Sequence, residues 1–212
     1  MTFPSVYEMF VEDLTTVRKQ HFWDYFSGAT LNSRWTQRNV SNSNTFAMED
    51  SVDGGFKMTT SASADSRMAL DFNSKRQYDQ DACEFIGVLK TDSINTNQAT
   101  LFGLANVTTS DFGNTSNGAI VGGYTSEGFM LRTSDGTTVS ATVMEATLDT
   151  NWHSYKMSLG GTNVLAYRDG VLEATKSTNY PTAILQPYCL CTTGGAGGAR
   201  TMHIKYMEAY NT

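Results

Sequence analysis

From about residue 22 onward the chain alternates short β-prone runs with clusters of Gly, Ser, Thr and Asn. Met202-His203-Ile204-Lys205-Tyr206-Met207-Glu208-Ala209-Tyr210 shows the alternation most cleanly. Successive side chains of a strand point to opposite faces, so a run of this kind predicts a strand with one buried face. Strands are predicted at 44–49, 55–61, 67–73, 82–91, 99–106, 118–124, 127–133, 138–145, 153–159, 163–168, 171–175, 184–191 and 201–209. Short strands spaced by turn signals are the pattern of an all-β sandwich. Trp152-His153-Ser154-Tyr155 opens one strand, Gly160-Gly161 turns it, and Tyr167-Arg168-Asp169-Gly170 ends the next. Asp-Gly supplies the positive φ angles of a tight hairpin, so the pairing there is antiparallel.

The first residues follow a different period. Val6, Phe10, Leu14 and Val17 recur at helical spacing and make one apolar stripe, with Glu12, Asp13, Arg18 and Lys19 elsewhere. Ser5-Val6-Tyr7-Glu8 is a capping box, in which the serine oxygen and the glutamate side chain satisfy reciprocal backbone donors. The stripe predicts one short amphipathic α-helix of about 14 residues, marginal alone in water. Its apolar face must pack on its own sandwich or on a neighbouring subunit. The expected organisation is therefore a helical arm over 1–21 and a β domain over 22–212.

Two stretches carry a family resemblance. His21-Phe22-Trp23-Asp24-Tyr25-Phe26-Ser27-Gly28, continuing to Leu31 and Trp35, resembles the opening of concanavalin A-like domains, and Trp152–Gly170 resembles their later hairpins. The resemblance implies a concanavalin A-like antiparallel β-sandwich (a jelly roll), with Trp35 plugging the edge of the core and the last strand returning beside the first; aromatic residues on sandwich strands are mostly core, so Trp23 is expected there too. These motifs specify how sheets close and leave function open.

Composition narrows the field. A chain of 212 residues with 40% hydrophobic content suits one sandwich domain. Its net charge of −6, from 15 basic and 21 acidic residues, comes with no basic cluster. Phosphate-backbone binding needs concentrated Lys and Arg, so nucleic acid is not an expected partner. No apolar run approaches the roughly 18 residues of a membrane-spanning helix. Met1–Gln20 carries Glu8, Glu12 and Asp13 where a secretory signal would be uninterruptedly apolar, so the chain is expected to be made in the cytoplasm without a signal peptide. Cys83, Cys189 and Cys191 are odd in number and predict buried reduced thiols; Cys189 and Cys191 alternate onto one face.

Catalytic chemistry is not legible. The resemblance would imply, for a laminarinase-like glucanase, a Glu-x-Asp-x-x-Glu strand whose alternation brings carboxylates onto the concave face. The nearest acidic cluster, Asp79-Gln80-Asp81-Ala82-Cys83-Glu84, splits its acids between two faces and reads as a solvated loop. The three histidines, His21, His153 and His203, accompany no nucleophile elbow. Some lectin branches hold calcium with Asp and Asn side chains, and Asn106–Gly118 is rich in such oxygens. That segment has one acid, Asp111, where calcium sites recruit several, so no cofactor or metal is expected. Sandwich loops cluster at the ends and carry function. Loops 106–118, 134–138 and 193–200 are therefore the candidate ligand face, with Asp111, Asn114 and Asn117 as candidate ligand-binding residues.

The leading functional expectation is a non-enzymatic structural or adhesion protein, a virion decoration or appendage component. Its low charge, unpaired cysteines and helical arm fit a homo-oligomer that uses Val6, Phe10, Leu14 and Val17 as the contact with other subunits and also meets surface glycans. The alternatives are a free-standing carbohydrate-binding, lectin-like module and a divergent glycoside hydrolase.

Overall fold

The computed structural model describes residues 20–39, 43–49, 55–92, 98–107, 116–124, 128–144, 149–193 and 198–212. Val6, Phe10, Leu14, Val17, Asp111 and Asn114 lie outside them, and so does nearly all of the predicted arm. No helix among the described residues is long and apolar enough to cross a membrane.

The strands, in chain order, are β1 (His21–Asp24), β2 (Thr36–Asn39), β3 (Thr45–Met48), β4 (Phe56–Thr59), β5 (Arg67–Asp71), β6 (Cys83–Thr91), β7 (Gln98–Ala105), β8 (Asn117–Tyr124), β9 (Gly128–Asp135), β10 (Val139–Val143), β11 (His153–Leu159), β12 (Val164–Arg168), β13 (Val171–Lys176), β14 (Gln186–Thr193) and β15 (Thr201–Asn211). They form two antiparallel sheets. The first runs β13-β12-β11-β6-β15-β4-β3, with β1 also on β15; the second runs β10-β9-β8-β7-β14-β5-β2. Every predicted strand is present. Beyond that pattern, β1 falls where the family resemblance puts the first strand, and β2 is missed, because Thr36-Gln37-Arg38-Asn39 has no apolar residue to reveal its period.

The final strand knits the first sheet together. One flank of β15 pairs with β6 along most of its length; the other meets β4 through Thr201–Ile204 and β1 through Met207–Tyr210. Ile204 and Met207 are three residues apart, yet both are buried. A bulge between Ile204 and Tyr206 absorbs the odd residue and returns Met207 and Ala209 to the core side. The core lies between the sheets, where Phe85, Leu89, Met202, Ile204 and Met207 face Phe102, Leu104, Cys189 and Cys191. All three cysteines are buried free thiols. Burial pushes their ionisation above the ordinary thiol range.

Asp24 joins the opening turn to the core. One carboxylate oxygen accepts the Phe26 backbone N–H at 2.8 Å and the other accepts Trp35 Nε1–H at 2.9 Å. The first bond holds Phe26 in a left-handed conformation (φ 49°) that a bulky residue rarely adopts. Trp35 then packs edge-on to Phe22 and Phe72, with Phe26 tilted beside it.

A second brace explains the Trp152–Gly170 motif. Asp169 (φ 50°) and Gly170 (φ 83°) make the expected tight turn between β12 and β13. His153 Nδ1 lies 2.6 Å from Asp169 and its Nε2 lies 2.9 Å from Asp149, while Arg168 donates to Asp149 at 2.8 Å. The Asn151 backbone N–H, then His153 and Arg168, pull the Asp149 carboxyl down to about 2. Bonds from His153 and the Ser154 N–H lower Asp169 as well, against the opposing effect of burial.

Asp24→Ala removes two bonds to a charged acceptor and strands the Trp35 indole N–H; a loss of about 3 kcal/mol is expected in urea unfolding. The Asp149 brace has an acid signature. A carboxyl whose folded pKa lies below its unfolded value, about 3.9, adds stability above that value and loses it as pH falls through the folded pKa. Wild-type urea midpoints should fall between about pH 4 and 2. Asp149→Asn should be less stable at neutral pH and show a shallower slope in that window.

Candidate ligand-binding surfaces

Strand alternation gives the second sheet an outer face, turned away from the core. Leu101, Ile120, Tyr188 and Leu190, with Ala69, Ala99 and Ala105, form a second apolar cluster there. These side chains are closed to solvent. Gly103 lies on β7 between Leu101 and Ala105 of this cluster. At Gly103 (φ 149°) an added Cβ would come within 2.3 Å of Met157 Cε and 2.5 Å of the Ala119 carbonyl oxygen, so β7 can follow this path only with glycine. Among the described strand positions of this face Asp71 is the sole carboxylate, and it is fully buried. Arg38 clasps it through Nε and through Nη2 at 3.1 Å, and the Asn73 N–H donates to it at 2.6 Å. That carboxylate is committed to holding β2 on β5.

Of the residues proposed from sequence for a ligand, Asn117 is described. Its amide donates to the Asp135 carbonyl and to Thr182 Oγ1, each at 2.9 Å, and its carbonyl accepts the Thr182 N–H at 2.8 Å. These bonds tie the start of β8 to the segment before β14. In loop 134–138, Asp135 accepts the Thr137 hydroxyl and the Thr137 and Thr138 N–H groups, which lower its pKa. Both side chains shape turns. A narrow pocket at the sandwich end is walled by Lys90, Thr100, Phe102, Asp149 and Tyr155. Asp149 is the one acid among the described residues that line this pocket.

The outer face of the first sheet differs. The sequence places Trp23 in the core, but it is 57% exposed, and Tyr25 is 59% exposed. The strand period carried the signal: Phe22 is buried, so its neighbour on β1 must face outward. Trp23 packs edge-on to Tyr25 at 5.8 Å, and Tyr25 lies tilted on Tyr206 at 4.8 Å. Glu208, directly across from Trp23, accepts the Tyr206 hydroxyl at 2.7 Å, and its other oxygen lies 2.7 Å from His21 Nε2. Tyr210 packs edge-on to His21 and donates its hydroxyl to Glu84. Burial works to raise the Glu84 pKa, but bonds from Tyr210 and Lys156 outweigh it, and Tyr210 is in turn pushed up to about 12 by its bond to Glu84. Trp152 stands apart, with Lys90 and Lys205 ammonium groups 4.9 and 4.7 Å from its ring centre.

No protein-family model matches the chain, and no curated protein matches it. Solved structures do. The Emp47p carbohydrate recognition domain superposes with a TM-score of 0.64 at 11% identity, covering 90% of this chain and 94% of its own. A Bacteroides ovatus mixed-linkage glucan GH16 protein in complex with a G4G4G3G product gives 0.62 at 13%, covering 88% and 98%. A pseudo β-1,3-glucanase of Mycobacterium tuberculosis gives 0.60 at 13%, covering 90% and 98%. At these identities the likeness establishes architecture, and it agrees with the two-sheet topology and the hairpin motifs. The chain has the concanavalin A-like lectin/glucanase fold, an antiparallel jelly-roll β-sandwich.

Proposed function

We propose that this chain is a carbohydrate-recognition module without glycosidase activity. One observation carries the second half of that reading: no strand among the described residues holds more than one carboxylate. Retaining hydrolysis needs two carboxyl groups about 5–5.5 Å apart flanking the scissile bond, and strands deliver them by alternation. Asp24, Asp71, Glu84, Asp135, Glu173 and Glu208 fall one to a strand, on β1, β5, β6, β9, β13 and β15, and Asp71, Glu84 and Glu208 are each bonded within the sheet. The first half draws support from the fold. Its structural neighbours include a carbohydrate recognition domain, a glucan-bound GH16 protein and a pseudo-glucanase. The finer expectation, a virion decoration or appendage component anchored through Val6, Phe10, Leu14 and Val17, draws its support from sequence alone.

An array of immobilised neutral and acidic saccharides, with a reducing-sugar assay on laminarin and mixed-linkage β-glucan, tests both halves. Saccharide binding with no release of reducing ends is the expected result. Steady release of reducing ends would reverse the non-enzymatic reading, and an array with no bound saccharide would reverse the recognition reading.

A further inference from the structure

We propose that the outer face of the first sheet, along β1 and β15, is a binding site for a neutral saccharide, with Trp23, Tyr25 and Tyr206 as its stacking platform. The inference rests on the carbohydrate-recognition reading and gives it a location. A pyranose offers an apolar face of C–H groups and a rim of hydroxyls, so its site needs exposed rings beside fixed hydrogen-bonding groups. Both are present here. Trp23 and Tyr25 leave more than half of their surface in water, at 57% and 59%. With Tyr206 on β15, Trp23 on β1 and Tyr25 just beyond the end of β1 make two successive ring contacts, at 5.8 and 4.8 Å.

The polar rim is already ordered. Among the described residues each oxygen of Glu208 has one hydrogen-bond partner, the Tyr206 hydroxyl or the His21 ring, which leaves lone-pair capacity for a sugar hydroxyl. These bonds also fix the Tyr206 ring before a ligand arrives, which reduces the ordering cost of association. A fixed carboxylate at the centre disfavours acidic saccharides.

The same features argue against a protein partner. Protein interfaces concentrate their energy where large side chains sit in an apolar, water-excluding surround. The exposed aliphatic residues, Val143, Val171, Leu172 and Ile184, lie on β10, β13 and the segment before β14, none on β1 or β15. Trp152 on the same sheet is excluded from the platform, because two lysine ammonium groups occupy its ring. On the second sheet the corresponding outer face is closed, with Leu101, Ile120, Tyr188 and Leu190 at 3% exposure or less.

The test repeats the saccharide array with Trp23→Ala, Tyr25→Ala and, as a control on the far edge of the other sheet, Val143→Ala. Both rings are exposed, so melting curves should coincide with wild type; Trp23→Gln replaces the first variant if they do not. The expected result is neutral-saccharide binding that weakens about tenfold or more in each ring variant and is unchanged in the control. Wild-type binding that survives both ring variants overturns the site and leaves the recognition reading standing. Binding confined to acidic saccharides overturns the assigned ligand class, and an array with no bound saccharide overturns site and reading together. Light scattering closes the remaining route: a wild-type dimer that becomes monomeric in Trp23→Ala would make the strip a protein interface and overturn the proposal.

Discussion

The first sheet depends on the pairing of β15. This last strand touches β6 on one flank and both β4 and β1 on the other, so segments from opposite ends of the chain become neighbours only through it. Its single bulge sets the phase of everything it carries. Before the bulge, Met202 and Ile204 face the core; after it, Met207 and Ala209 do. The outward set, Tyr206, Glu208 and Tyr210, is fixed by the same irregularity. A regular strand of this sequence would turn one set or the other to the wrong face, because strand side chains repeat every two residues. Core packing and outer-face chemistry are thus one constraint.

The two outer faces have been put to different uses. On the second sheet, alanines and glycines bring the backbone of neighbouring strands close under a few large apolar side chains, and Asp71, the sole carboxylate among the described strand positions of that face, is neutralised by Arg38. On the first sheet, exposed Trp23, Tyr25 and His21 stand beside half-buried Tyr206, Tyr210, Glu84 and Glu208, and these side chains pack on and bond to one another. A site belongs to specific side chains and not to a fold, and here the side chains suited to hydrogen-bonded recognition sit on the first sheet.

Much of the architecture was legible in the chain. Alternation and turn residues located thirteen of the strands, the family resemblance pointed to β1, and the Asp169-Gly170 hairpin took the predicted left-handed angles. The polar strand β2 was invisible because its contribution is an ion pair, Arg38 with Asp71, between residues far apart in sequence. Surface chemistry was harder to read. Aromatic residues in a sandwich usually pack inward, so Trp23 looked like core, although the burial of Phe22 on the same short strand required the opposite. Asn117 looked like a ligand group because turn-forming and ligand-binding asparagines share one composition. Only its three bonds to Asp135 and Thr182 reveal what it does.

The three cysteines give the molecule a built-in clock. Each thiol is sealed in the inter-sheet core and shifted away from its reactive, ionised form. Cys83 sits on β6 of one sheet, Cys189 and Cys191 on β14 of the other. A small alkylating reagent can reach them only when the core around them opens, by parting of the sheets or by local loss of their own strands, so the labelling rate of each cysteine reports how often its own surroundings open. Equal rates would mean that the sandwich opens as one unit; unequal rates would identify the region that lets go first.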